Sequence, residues 1–154
     1  MQKRQKTSQE VTNFIVVSTN SKLKISPEGD FFRVYVDFLK PIHDLTKREM
    51  DVLALYLQER YNLSKTISDE DNLNKRLMQD DIRVKVREAI GIKPRHLNVI
   101  LSTFRQKGIL KRTGPLKGDE AFDLNLIPHF NKEGAGLMVY FKFKNEQQRI
   151  KLGP

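Results

Sequence analysis

Between residues 93 and 117 the chain carries seven bases, Lys93, Arg95, Arg105, Lys107, Lys111, Arg112 and Lys117, and no Asp or Glu. Cations crowded together without counter-acids suit a polyanion, because each one that meets a phosphate releases condensed counterions. Among them stand side chains able to read base edges. Arg95 matches guanine O6 and N7, Asn98 matches adenine N6 and N7, and Val99 offers apolar surface to a thymine methyl. His96 and Ser102 share that early face, while Thr103, Arg105 and Lys107 fall nearer the phosphates. Lys111, Arg112 and Lys117 are placed for backbone or minor-groove contact. The plain alternative for each is a solvated side chain, and for His96 taken alone it is the better one.

Charge elsewhere sharpens this. Residues 69–81 hold five acids against two bases, so positive charge is segregated rather than interspersed. The whole chain counts 28 Lys and Arg against 19 Asp and Glu, a net charge of +9. Such a balance favours an acidic partner, nucleic acid first, an anionic membrane surface or acidic protein second.

Other chemistry is poorly represented. There is no cysteine, which removes disulfides, thiolate metal sites and a Cys nucleophile, and fits a reducing compartment. His43, His96 and His129 fall in three separate elements without ligand spacing, so no metal site is expected. The acids Asp69-Glu70-Asp71 and Asp80-Asp81 read as helix-start residues rather than cation ligands. Gly134-Ala135-Gly136 reads as a loop before a strand, not a phosphate-binding turn. No Ser/His/Asp arrangement is present, so neither catalysis nor a cofactor is expected. The runs Phe14–Val17 and Leu137–Phe141 are far shorter than the roughly 20 residues of a membrane helix. MQKRQKTSQE leads into no signal-peptide core. The expectation is no membrane association and a cytoplasmic setting, either a host cytoplasm or a virion.

The elements that must position the basic surface follow from periodicity and punctuation. Residues 1–12 read as a flexible basic arm. Strand patterns follow at 14–17, at 22–25 and at Phe31–Phe38, where Phe32, Val34, Val36 and Phe38 alternate onto one face. Pro41 closes that region. Thr46 and Glu49 then form a capping box opening an amphipathic helix over 47–60, with a loop at 62–66. A helix begins at residues 68–71 and either stops near Gln79 or runs on; Ile82, Val86, Ala89 and Ile90 are again helical. Gly91-Ile92 breaks the pattern, Pro94 suits a new first turn, and Leu97, Ile100, Leu101 and Phe104 face inward up to a stop at Gly108. Residues 109–112 form a strand, 113–120 a hairpin tip and 121–124 the returning strand. Leu137–Lys144 is a further strand before a polar basic tail at 145–154.

Two helices crossing over a tight turn with a shared core, the second projecting a face outward, is helix-turn-helix geometry. The run Val86-x3-Ile90-Gly91-Ile92-x4-Leu97-x3-Leu101-x2-Phe104-x3-Gly108-x-Leu110 resembles winged-helix repressors of the multiple-antibiotic-resistance-regulator type. It is also similar to the winged-helix replication proteins of small plasmids and phages, a likeness that extends from Leu45-Thr46-x2-Glu49-Met50-x-Val52-Leu53 to Phe122-x2-Asn125. The resemblance implies an α+β fold, a winged helix-turn-helix core with flanking antiparallel β-strands. Its domain spans 13–130, with the helix-turn-helix at 80–107 and the wing at 109–125, followed by a strand and basic tail at 131–154. It implies a non-enzymatic protein that binds double-stranded DNA, either a transcriptional regulator or a replication-origin binder of bacterial, plasmid or phage type. A homo-oligomer is expected, a dimer in that role. The rival expectation is a structural assembly protein, a virion connector or nucleoprotein component, using the same fold for protein contacts in a ring.

Overall fold

The computed structural model describes residues 31–130 and 135–136, and its first element departs from the strand expected at Phe31–Phe38. Phe31–His43 is a helix, α1. Arg33, Asp37 and Lys40 fall on one helical face and leave the others apolar, a helical period that the alternation of Phe32, Val34, Val36 and Phe38 masks. Phe32, Tyr35, Val36 and Leu39 are buried at helical spacing, whereas Phe38, which alternation places beside Phe32, is 48% exposed. Pro41 does not stop the element; it sits inside the last turn, and Asp44 just beyond takes a left-handed φ of 49°. The Tyr35 hydroxyl donates to the Leu126 carbonyl at 2.6 Å, fixing the helix to a later turn of the chain. Val34, Phe38 and Ile42 form an exposed apolar stripe on its other side.

Lys47–Ser64 forms α2, which runs into the residues expected to be loop. Its start is the capping box read from the sequence: Glu49 N–H donates to Thr46 Oγ1, and Thr46 N–H donates to Glu49 Oε1. These bonds satisfy two amide groups that the first turn otherwise leaves without partners. Val52, Leu53, Ala54, Tyr56 and Leu57 are buried, and α2 packs against every other helix described. Asp69 caps the short α3, Glu70–Leu77, by accepting from Asn72 N–H at 2.9 Å. The chain breaks at Met78-Gln79, and a separate helix, α4, covers Asp80–Ile90.

Gly91 ends α4 at φ 68°, and Ile92 N–H reaches back to the Arg87 carbonyl at 3.0 Å. The same stop recurs one helix later. After α5, Pro94–Gln106, Gly108 takes φ 74° and Ile109 N–H donates to the Phe104 carbonyl at 2.9 Å. Both are left-handed glycine ends with a six-to-one hydrogen bond followed by a buried isoleucine. Leu110–Arg112 is β1 and Glu120–Phe122 is β2, antiparallel in the register Leu110↔Phe122 and Arg112↔Glu120. Phe122 packs its ring 5.4 Å from Tyr56 and 6.4 Å from Phe104, joining the hairpin to α2 and α5. A 3-10 turn at Leu124–Leu126 follows.

These elements lie in a unit spanning Leu23–Ile127. The other unit comprises Met1–Lys22 with Pro128–Pro154, and its described part is a small antiparallel pair, His129–Phe130 (β3) with Ala135–Gly136 (β4). Ala135-Gly136, expected as loop, is therefore paired strand. The arm at 1–12, the strands expected at 14–17, 22–25 and 137–144, and the tail at 145–154 lie outside the described residues. The described architecture is α+β, five helices with short antiparallel sheets. Among the described residues no helix is long and apolar enough to cross a membrane.

Candidate nucleic-acid interface

The basic surface is built on α5. Leu97, Ile100, Leu101 and Phe104 are at most 4% exposed, which fixes the rotation of the helix and leaves its opposite side outward. Arg95, His96, Asn98, Val99 and Ser102 are all exposed, and Val99, at 58%, is an apolar side chain in open solvent. Thr103 is half-buried and donates its hydroxyl to the Val99 carbonyl at 3.1 Å. Lys93 stands exposed just before the helix, and Lys117 stands exposed in the loop between β1 and β2.

Absence of acids along residues 93–117 does not mean absence of acids in space. Arg105 donates to both oxygens of Glu120, the Nη2–Oε1 contact being 2.9 Å. Glu120 sits in β2 at 7% exposure; its hydrogen bonds from Arg105 hold its carboxyl below the usual range, and the pair raises the guanidinium in turn. Lys107 donates Nζ to Glu49 Oε1 at 2.8 Å and to the Asp44 carbonyl at 2.6 Å. Burial opposes charge on Glu49, but the bonds from Lys107 and Thr46 outweigh it and lower its pKa. Lys111 Nζ lies 3.4 Å from Asp123. Arg112 donates to the Gly114 and Leu116 carbonyls at 3.2 and 3.1 Å, bracing the loop.

That loop is closed tightly. Thr113 N–H donates to the Asp119 carbonyl at 2.8 Å and Leu116 N–H to Asp119 Oδ2 at 3.0 Å. A Cβ on Gly114 would stand 2.6 Å from Asp119 Oδ2, so a larger residue there would have to push that carboxylate off Leu116 N–H. Leu116 is left 68% exposed at the tip. Behind the loop, against Asp71, Asn74 and Lys75 of α3, is an open cavity of about 270 Å³.

Of the seven bases, three are thus answered by carboxylates and Arg112 by carbonyls. Lys93, Arg95 and Lys117 take no hydrogen-bond or ion-pair partner among the described residues, and neither does His96. One residue of this surface escaped the sequence reading. Arg83, on α4, donates Nη1 to Asn98 Oδ1 at 3.0 Å. The helical wheel carries the signal: with Ile82 and Val86 inward, Arg83 lies one step round, toward the helix that follows. It was masked by the acids before it, which mark that stretch as the negative part of the chain. Under these side chains lies Tyr56, whose buried hydroxyl has no hydrogen-bond partner; burial pushes its pKa up to about 12, with Arg83, Arg105 and Glu120 close enough to modulate it. No family model matches the chain, and no curated protein or solved structure does either.

Proposed function

We propose that the chain is a non-enzymatic, DNA-binding protein of winged-helix type that docks α5 on the major groove and the β1–β2 hairpin beside it. The transcriptional or replication-origin role implied by the sequence resemblance belongs to the same proposal. The observation that carries it is the outward face of α5. Arg95, Asn98, Val99 and Ser102 stand together in solvent there, and Lys93, Arg95 and Lys117 have no described partner to satisfy them. Groups of this kind supply base-edge contacts and phosphate contacts respectively.

The test is a salt-titrated binding assay on random and selected duplexes. Arg95→Ala combined with Asn98→Ala weakens binding to a selected duplex far more than to random DNA. Lys93→Ala and Lys117→Ala weaken both alike and each flatten the salt dependence by about one unit of slope. Lys107→Ala flattens it less, because Glu49 already holds that ammonium. Equal losses on both duplexes in the double variant, or no binding above ~1 μM at low salt, would sink the proposal.

A second reading, assembly through protein contacts, is favoured by one observation, the exposed stripe Val34, Phe38 and Ile42. Particle size without DNA separates the two.

A further inference from the structure

We infer that Arg83 is a specificity-determining residue: by holding the Asn98 amide oxygen toward α4, it turns the two amide N–H donors outward, so that Asn98 reads guanine and not adenine. The inference rests on the DNA-binding reading and deepens it. A guanidinium has donors and no acceptor. Across the 3.0 Å contact between Arg83 and Asn98, the amide must therefore present its oxygen, whichever way it would otherwise turn. With the oxygen toward α4, the amide nitrogen and its two hydrogens face away from α4.

Pairing with adenine needs both halves of the amide, the oxygen accepting from N6–H and the nitrogen donating to N7. Guanine presents N7 and O6, two acceptors and no donor. A nitrogen-outward amide therefore suits guanine, and against adenine it sets donor beside donor. Arg95, one turn earlier on the same exposed face, is likewise a donor-only group that favours guanine.

Arg83 is free to act in this way because the buried carboxylate in its neighbourhood is taken. Glu120 feels the Arg83 charge, but its two oxygens are engaged by Arg105. Arg83 is thus a positioning residue for Asn98, with no acid of its own to hold it elsewhere among the described residues.

The experiment is selection from a randomised duplex pool with the full chain, its Arg83→Met and Arg83→Lys variants, and Asn98→Ala to mark the position that Asn98 reads. Guanine is expected at that position for the parent protein and for Arg83→Lys, which keeps a donor. In Arg83→Met the guanine-to-adenine ratio falls about fivefold, the low end of what one base pair of contacts discriminates, while the loss of one cation weakens binding to every duplex alike and so leaves that ratio to report on Asn98. Asn98→Asp is a second route that leaves Arg83 intact. Its acceptor-only carboxylate removes the guanine preference and favours cytosine, whose N4 donates. Adenine at the marked position in the parent protein overturns the inference, as does an unchanged preference in a folded Arg83→Met or in Asn98→Asp. A parent protein that binds DNA but selects no base at the Asn98 position also overturns it. Failure to bind any duplex at low salt instead brings down the DNA-binding reading itself.

Discussion

Arg105 and Glu120 show how a residue's type can be legible while its employment is not. A guanidinium late on a basic helix reads as a phosphate contact until the carboxylate 15 positions on is folded against it. Lys107 finds Glu49 across 58 positions, a pairing that no local pattern announces. By contrast the inward set Leu97, Ile100, Leu101 and Phe104 was readable in full, because burial on a helix follows spacing alone. Glu120→Gln leaves the Arg105 guanidinium without its charged partner. Since Arg105 is 41% exposed in its side chain, solvent recovers part of the loss, and about 1–2 kcal/mol of stability is expected to go. The acid dependence has a definite sign. The folded-state pKa of Glu120 is depressed, so as pH falls below about 4.5 the unfolded chain takes up protons first. The stabilisation is complete above that range and is lost as pH falls through the folded value. Melting temperature against pH therefore drops less steeply on the acid side in Glu120→Gln than in the parent, and identical profiles would refute the assignment.

At the scale of elements, ends were easier to read than types. Caps and glycine stops are local chemistry, so Thr46 with Glu49, Gly91 and Gly108 could each be recognised from a few neighbours. α1 could not, because the alternation of Phe32, Val34, Val36 and Phe38 outweighs the helical spacing of Arg33, Asp37 and Lys40, and the Leu126 carbonyl that anchors Tyr35 lies far along the chain. The position of the hairpin is legible because Gly114, Pro115 and Gly118 punctuate it, though β2 covers Glu120–Phe122 rather than 121–124 and Leu124 opens a 3-10 turn instead. Gly108 offers a clean measurement. Nothing lies within 4 Å of where its Cβ would be, so a substitution meets only the backbone penalty of φ 74°. Gly108→Ala is expected to cost about 1–2 kcal/mol, and Gly108→Asn less, because Asn tolerates the left-handed region. Urea midpoints in the order parent, Asn, Ala check this; an Ala variant equal to the parent would mean that the helix end has shifted.

For the molecule as a whole, segregation of charge is visible in the sequence, whereas the exposed apolar stripe of α1 is not. Alternation places Val34 and Phe38 in a strand that Pro41 closes, and only as a helix do they line up with Ile42 as an exposed stripe along α1. A reader with one recognition helix covers two half-sites by pairing with a second copy, and this stripe is the apolar face on which such a copy would sit. Light scattering of the full chain at micromolar concentration is then expected to give a dimer. Phe38→Glu, which sets a charge in the middle of the stripe, is expected to give a folded monomer whose melting temperature falls only by the lost dimer linkage and no longer depends on protein concentration. A ring-sized particle would favour the assembly role, and a dimer unaffected by Phe38→Glu would move the contact off this face.

Glu49, Asp123 and Glu120 have one more consequence on the DNA-binding reading. They are resident stand-ins for a polyanion, each occupying a cation that a phosphate would otherwise claim. A phosphate arriving at Lys107 or Lys111 must evict a carboxylate, and at Lys107 the evicted Glu49, whose pKa that ammonium holds down, becomes the stronger base. Docking at Lys107 is therefore an exchange that draws protons from mildly acidic solution, while docking at Lys93, Arg95 and Lys117 displaces only salt. The same patch would hold its ligand in two chemically distinct ways, one tuned by acidity and the other by ionic strength.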